Sequence, residues 1–128
     1  PAQEQRIVET YEELRALTRA GTPSSEADFR FHLAIAEAAN NPRFSEFLRL
    51  IGPTIIPRRV FSPDDGAPLP AEFLRLLDSE HTAIVTAILS GDPEAARAAM
   101  RAHLIDSQAR YCAFLRRIRA GDGEAATG

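Results

Sequence analysis

The chain has 128 residues, 15 basic and 18 acidic side chains, a net charge of -3 and a single cysteine, Cys112. This length suits one domain, and one cysteine excludes a disulfide framework within the chain and a thiolate zinc finger. No run of 18 apolar residues is present, so we expect no membrane span and a cytoplasmic location. A net acidic chain is also a poor candidate for binding a nucleic-acid backbone alone. We expect Cys112 to pack inside the fold.

The chain starts at Pro1, and its only methionine, Met100, lies far from that end. No basic segment followed by an apolar run opens the sequence, so no signal peptide is expected. We therefore expect these residues to be one part of a longer protein, with a segment preceding Pro1.

Apolar residues recur every three or four positions from the start of the chain, which is the period of an amphipathic helix. The first predicted helix ends before the segment 21–23, where a glycine and a proline interrupt the pattern. The second begins at Ser24 or Ser25 and ends near Asn40. Within it, Ser25 and Asp28 have the spacing of a capping box, so Asp28 has a purely structural interpretation available.

The third predicted helix starts at about Pro42, and we expect Gly52 and Pro53 to break or kink it. Residues 62–70 contain three prolines and a glycine, which predicts a loop. A fourth helix is expected over about residues 71–90, where the apolar stripe resumes.

The sequence Gly91-Asp92-Pro93 marks the sharpest boundary, because these residues suit a helix C-cap, an N-cap and a first helical turn respectively. The last predicted helix runs to about Ala120, and residues 121–128 are expected to be a disordered tail. No strand-like alternation of useful length is present. The pattern therefore predicts an all-α fold, an antiparallel bundle of helices.

The three histidines, His32, His81 and His103, lie on the apolar stripes of three different predicted helices, so their imidazoles should face the interior. One interpretation is that they are separate core histidines, each hydrogen-bonded to a neighbour. The other is that they share a metal ion, with Asp28, one turn before His32, as a fourth ligand. Such a donor set suits Zn, Ni, Co, Mn or Fe(II) and does not choose among them.

Four stretches stand in a characteristic order along the chain. They are D-x-x-F-H at residues 28–32, A-A-N-N-P at 38–42, E-H-x-x-I-x-x-A-I-x-x-G-D at 80–92 and A-M-x-x-H-L at 99–104. They resemble the motifs of the FCD domain, the C-terminal effector-binding domain of FadR-type, GntR-family bacterial transcription regulators. The second stretch departs from the family's A-A-G-N-P by having Asn40 in place of the usual glycine. The resemblance covers roughly residues 4 to 118.

The resemblance implies a dimerising helical bundle of six or seven helices over residues 1–120, with the family's first helix and its winged helix-turn-helix DNA-binding domain both missing. In many members an aspartate and three histidines bind a divalent metal, and these correspond to Asp28, His32, His81 and His103. We expect Zn or Ni there, with Mn, Co and Fe as alternatives.

The resemblance also implies a small organic acid as effector, whose carboxylate meets the metal and an arginine. Arg58, in Ile56-Pro57-Arg58, corresponds to that arginine, and Arg59 is the adjacent alternative. A guanidinium is a planar fork that matches a carboxylate, although either side chain could instead be a solvated surface arginine. Asn41 could reach the pocket, or it could serve only to form its turn.

The resulting functional prediction is a ligand-sensing and dimerisation domain of a transcription regulator that contacts DNA only through the missing domain, and not an enzyme. A metal-dependent enzyme using the same site is the alternative. Against it, no convincing general base accompanies the ligands, because Glu80 lies about 100° around the helix from His81. A purely structural dimerisation module, with hydrogen-bonded histidines, is the third possibility.

Overall fold

The computed structural model describes the backbone of residues 2–22, 24–55 and 70–127, without the side chains of 53–55, 118 and 122–127. The described residues form five helices and no strand, which confirms the predicted all-α class. The helices are α1 (Ala2–Arg19), α2 (Ser25–Ala38), α3 (Pro42–Ile55), α4 (Ala71–Leu89) and α5 (Pro93–Thr127). Within these ranges every helix is too short or too polar to cross a lipid bilayer.

The core lies among α1, α2 and α4. Helix α1 packs against both of the others, α3 packs on α2, and α5 packs on α4. Phe31 is completely buried at the centre, and the Tyr11 hydroxyl donates a hydrogen bond to Oγ1 of Thr82 across the α1–α4 contact, at 2.8 Å. The buried apolar side chains of this core are Ile7, Tyr11, Leu14, Ala27, Phe31, Ala34, Ile84 and Val85. The apolar residues of α1 that recur every three or four positions therefore face the core, as their spacing predicts.

Two turns match the chemistry of their residues. Gly91 has φ of +67°, a conformation that costs glycine little, and the Asp92 carboxylate accepts the backbone N–H of Ala95 at 3.0 Å as the N-cap of α5. Asn40 has φ of +56°, a left-handed conformation that glycine adopts freely and that asparagine tolerates better than most residues. Its side-chain oxygen accepts a hydrogen bond from Gln3 at 3.0 Å, which connects the turn to α1.

Helix α3 continues through Gly52 and Pro53, so the expected break at this point is wrong. Gly52 lies against the ring of Phe29 on α2, and a Cβ atom at this position would overlap that ring. Glycine therefore lets α3 approach α2 closely. Phe44 and Phe47 of α3 are more than half exposed.

Three further expectations need correction. Ser24 is the N-cap of α2 but makes no side-chain capping bond, and the Asp28 carboxylate turns toward the histidines instead of capping the helix. The backbone of α5 is helical as far as Thr127, beyond the expected end at Ala120. Cys112 is exposed and not packed in the core.

Candidate metal centre

The three histidines come from three helices and meet inside the bundle. His32 lies on α2, His81 on α4 and His103 on α5, and one ring nitrogen from each lies within 4.8 Å of the other two. His81 and His103 are only 3% and 4% exposed, whereas His32 lies closer to the surface. The structure therefore brings together all three residues that periodicity had placed on inner faces.

The imidazole rings are held by packing as well as by position. The rings of His32 and His103 stack nearly parallel, with centroids 5.3 Å apart. The buried Phe31 ring contacts both His32 and His81 edge-on, at centroid distances of 5.5 and 5.3 Å. Because Phe31 cannot move without opening the core, it limits the rotation of two of the three imidazoles.

Asp28 completes the group from one side. Its Oδ1 lies 3.2 Å from Nε2 of His81 and 3.6 Å from Nε2 of His32. Burial by itself raises the pKa of Asp28, but the two imidazoles outweigh burial and hold that pKa well below its usual range. Asp28 is therefore an ionised carboxylate facing ring nitrogens, which is the state that a carboxylate needs in order to bind a cation.

His103 is oriented by a carboxylate on the neighbouring helix. Its Nδ1 lies 2.8 Å from Oε1 of Glu80. Burial by itself raises the pKa of Glu80, but Arg110 and His103 lower it by more, so the net shift is downward and Glu80 is ionised. An ionised carboxylate can only accept hydrogen bonds. Burial also lowers the pKa of His103, which favours a neutral ring. The Nδ1 of His103 thus carries the proton, and its Nε2 presents a lone pair to the other histidines.

Glu80 is itself held by Arg110, seven residues after His103 on α5. Arg110 donates from Nη1 to Oε2 of Glu80 at 2.5 Å and from Nη2 to Oε1 at 2.8 Å, a two-bond fork. Nη2 of Arg110 also lies 3.2 Å from the hydroxyl of Ser107. Arg110, Glu80 and His103 therefore form a continuous polar chain from α5 to α4 and back to α5.

The residues present fit a divalent cation. In the described part of the chain, Oδ1 of Asp28 and Nε2 of His81 are both buried and neither makes a hydrogen bond, which is costly unless something else satisfies them. Three of the separations, Asp28 to His81, Asp28 to His32 and His32 to His103, are 3.2 to 3.6 Å, close to the roughly 3.0–3.4 Å between ligands that share one ion at about 2.1 Å, and the three histidine nitrogens all lie within 4.8 Å of one another. Three imidazoles and one carboxylate also form a common donor set for first-row metals.

Of the other three predicted site residues, Asn41 lies in the described part of the chain. Asn41 is exposed, and its side-chain oxygen accepts the backbone N–H of Arg43 at 3.1 Å, so it has the turn role at the start of α3. Arg58 and Arg59 lie outside the described residues.

Sequence reasoning missed two residues of this site. Glu80 was placed about 100° around its helix from His81 and given no role at the site, yet it contacts His103 on the neighbouring helix. Arg110 was not considered, although its spacing of seven residues from His103 places both on one face of α5 and could have indicated it.

Comparison with known proteins agrees with the motifs. The family model for the FCD domain matches residues 1–106. Proteins of Escherichia coli (strain K12) and Shigella flexneri, each named as an L-lactate dehydrogenase operon regulatory protein, are 38% identical to this chain over 81 residues. The match covers 63% of this chain and 31% of each relative, so the chain spans about a third of their length. The chain belongs to the FCD domain family.

Proposed function

We propose that this chain is the effector-sensing and dimerisation domain of a GntR/FadR-type transcription regulator. Membership of the FCD family supports this role, as do the relatives that are named as operon regulators. DNA would be contacted by a separate domain of a longer protein, and two copies of this chain would form a homodimer. The net charge of -3 agrees with a domain that does not bind DNA itself.

The proposed sensing site is a divalent metal held by Asp28, His32, His81 and His103, with Zn or Ni as the first candidates. The observation that carries this proposal is the pair of buried, unsatisfied atoms, Oδ1 of Asp28 and Nε2 of His81, at the meeting point of three imidazoles. These two atoms face each other at 3.2 Å without forming a hydrogen bond, and an ion held between the ligands would satisfy both of them.

A bound divalent cation supplies fixed positive charge and an open coordination position that attracts the carboxylate of a small organic acid. In this chain, Asp28 and His32 are the more exposed members of the group, so an effector would approach from their side. We propose Arg58, with Arg59 as the alternative, as the arginine that pairs with the effector. The effector changes DNA binding only if it favours one arrangement of the dimer over another.

The enzyme alternative has less support. Hydrolysis at such a site needs a general base near the ligands. In the described part of the chain, the carboxylate that lies beside His103 without being a proposed ligand is that of Glu80. Both of its oxygens are engaged, by Arg110 and by His103. A carboxylate held in this way orients its neighbours and is poorly placed to accept a substrate proton.

The test combines elemental analysis with ligand screening. Purified protein should contain about one divalent ion per chain, and His81→Ala should lose it. The unfolding temperature of the metal-loaded protein should then rise in the presence of one small organic acid from a panel that includes L-lactate, without any product forming. Arg58→Gln should weaken that stabilisation and leave the metal content unchanged. Absence of metal, or conversion of an acid into product, would contradict the proposal.

A further inference from the structure

We propose that Glu80 and Arg110 act as a positioning pair that keeps Nε2 of His103 free to bind the metal. This inference rests on the proposed metal site and adds a requirement to it. Arg110 lies beyond residue 106, where the match to the family model ends, so the pair joins a residue inside the matched region to one outside it.

The geometry makes Arg110 the residue that orients the Glu80 carboxylate. Its guanidinium binds both oxygens of Glu80, and each side chain is only 16% exposed. The ring of Phe73 lies 5.5 Å from the guanidinium carbon and supports it from one side. A fork with two bonds fixes the plane of the carboxylate, which a single bond would leave free to rotate.

Fixing Glu80 has a direct consequence for His103. Oε1 of Glu80 accepts the Nδ1 proton at 2.8 Å, which favours the tautomer with an unprotonated Nε2. That Nε2 is the atom that lies 3.3 Å from Nε2 of His32, inside the proposed site. If the carboxylate turned away, the proton could move to Nε2, and the nitrogen facing the site would then have no lone pair for a metal. Ligating histidines commonly depend on such an acceptor.

A purely structural role for Arg110 and Glu80 predicts a different outcome. If Arg110 and Glu80 served only to join α4 to α5, their loss would lower stability but leave the His103 tautomer and the metal affinity unchanged. The same helix carries a matched control, because Arg97 pairs with Glu94 on the surface of α5, far more exposed than the inner pair.

The experiment measures zinc affinity by competition with a chelator in wild type, Arg110→Gln, Glu80→Gln and the control Arg97→Gln. We expect the first two variants to bind zinc about 10- to 100-fold more weakly and the control to stay within about twofold of wild type. Glu80→Gln keeps the size of the side chain but replaces one acceptor oxygen with an NH2 donor, which breaks the two-bond fork with Arg110, so it serves if Arg110→Gln fails to fold. Equal zinc affinity in all four folded proteins would overturn the inference while leaving the proposed metal site intact.

A second readout does not require metal. In metal-free protein, the nitrogen NMR shifts of His103 should report a proton on Nδ1 in wild type, and a shift toward the Nε2-protonated form in Arg110→Gln. If wild type binds no zinc, the metal proposal fails, and these spectra alone decide whether the pair positions His103. Identical His103 shifts in wild type and Arg110→Gln would overturn the inference.

Discussion

Nε2 of His103 lies 3.3 Å from Nε2 of His32, although the two residues are 71 positions apart and belong to different helices. Because Nδ1 of His103 donates to Glu80, its Nε2 has a lone pair, and a second lone pair at this distance would be repulsive. The contact is favourable when His32 donates a proton or when a cation accepts both lone pairs. A cation bound here would replace the hydrogen bond between His32 and His103 with one bond to each nitrogen.

Metal binding should raise the thermal stability of the chain, because the ion joins α2, α4 and α5. At a free zinc concentration 100-fold above Kd, linkage predicts about 2.7 kcal/mol of stabilisation, or roughly 10 °C in Tm for a domain of this size. Scanning calorimetry with zinc and then with excess chelator measures this difference.

The zinc-dependent shift in Tm should disappear in His81→Ala and persist in Ser90→Ala, a change at the exposed C-cap residue that follows α4. The shift is compared rather than Tm itself, because removing a buried imidazole lowers stability without any metal. Equal Tm values for wild type in zinc and in chelator would contradict this prediction.

The proposed metal ligands could be predicted because the face on which a helical residue lies depends only on its position relative to its neighbours in sequence. Residues three or four apart share a face, so the apolar neighbours of His32, His81 and His103 showed which way each imidazole points. The contact of Glu80 with His103 could not be predicted in this way. Glu80 points away from His81 on its own helix, and only the position of α5 beside α4 brings His103 to it.

The fold shows the same division between local and tertiary effects. The boundary at Gly91, Asp92 and Pro93 was predicted correctly because backbone conformation and capping depend on adjacent residues. The break expected at Gly52 and Pro53 was wrong because the same local rule neglects α2. Helix α3 runs through both residues, and Gly52 lies against Phe29 of α2, where a larger residue would overlap the ring.

Stability of the metal-free chain should fall as the pH is lowered from 7 to 5. Burial holds the pKa of His103 below about 6.5, the ordinary histidine value, with His81 and His32 acting in the same direction and Glu80 and Asp28 opposing. Below pH 6.5 the unfolded chain therefore binds a proton that the folded chain resists, and stability is lost as the pH drops through this range.

Urea unfolding in chelator at pH 7, 6 and 5 measures this dependence. The loss between pH 7 and 5 should be smaller in His103→Asn, which has no imidazole at that position. A stability that stays constant or increases on acidification would show that the pKa of His103 is not lowered in the folded chain.

Asp92→Ala should destabilise the chain by about 1 kcal/mol, because the carboxylate of Asp92 accepts the N–H of Ala95 at the start of α5. Asp92→Asn should retain most of this stability, since asparagine is an equally good N-cap. Asp106→Ala, at an exposed position within α5, provides the control and should change stability by less than about 0.5 kcal/mol. Urea unfolding measures all three, and equal stability of Asp92→Ala and wild type would contradict the capping role.

Gly52→Ala should destabilise the chain by about 1–3 kcal/mol, because the added methyl group overlaps the ring of Phe29 and forces α3 away from α2. This result would oppose the intrinsic helix preference, which favours alanine over glycine by about 1 kcal/mol. Gly121→Ala is the matched control, since nothing lies near the added methyl group in α5, and it should be neutral or stabilising.

The double variant Gly52→Ala with Phe29→Ala separates the steric overlap from the intrinsic helix preference. With the ring removed, the alanine at position 52 should no longer reduce stability relative to Phe29→Ala alone. A single Gly52→Ala variant as stable as wild type would show that the Phe29 ring moves aside at little cost.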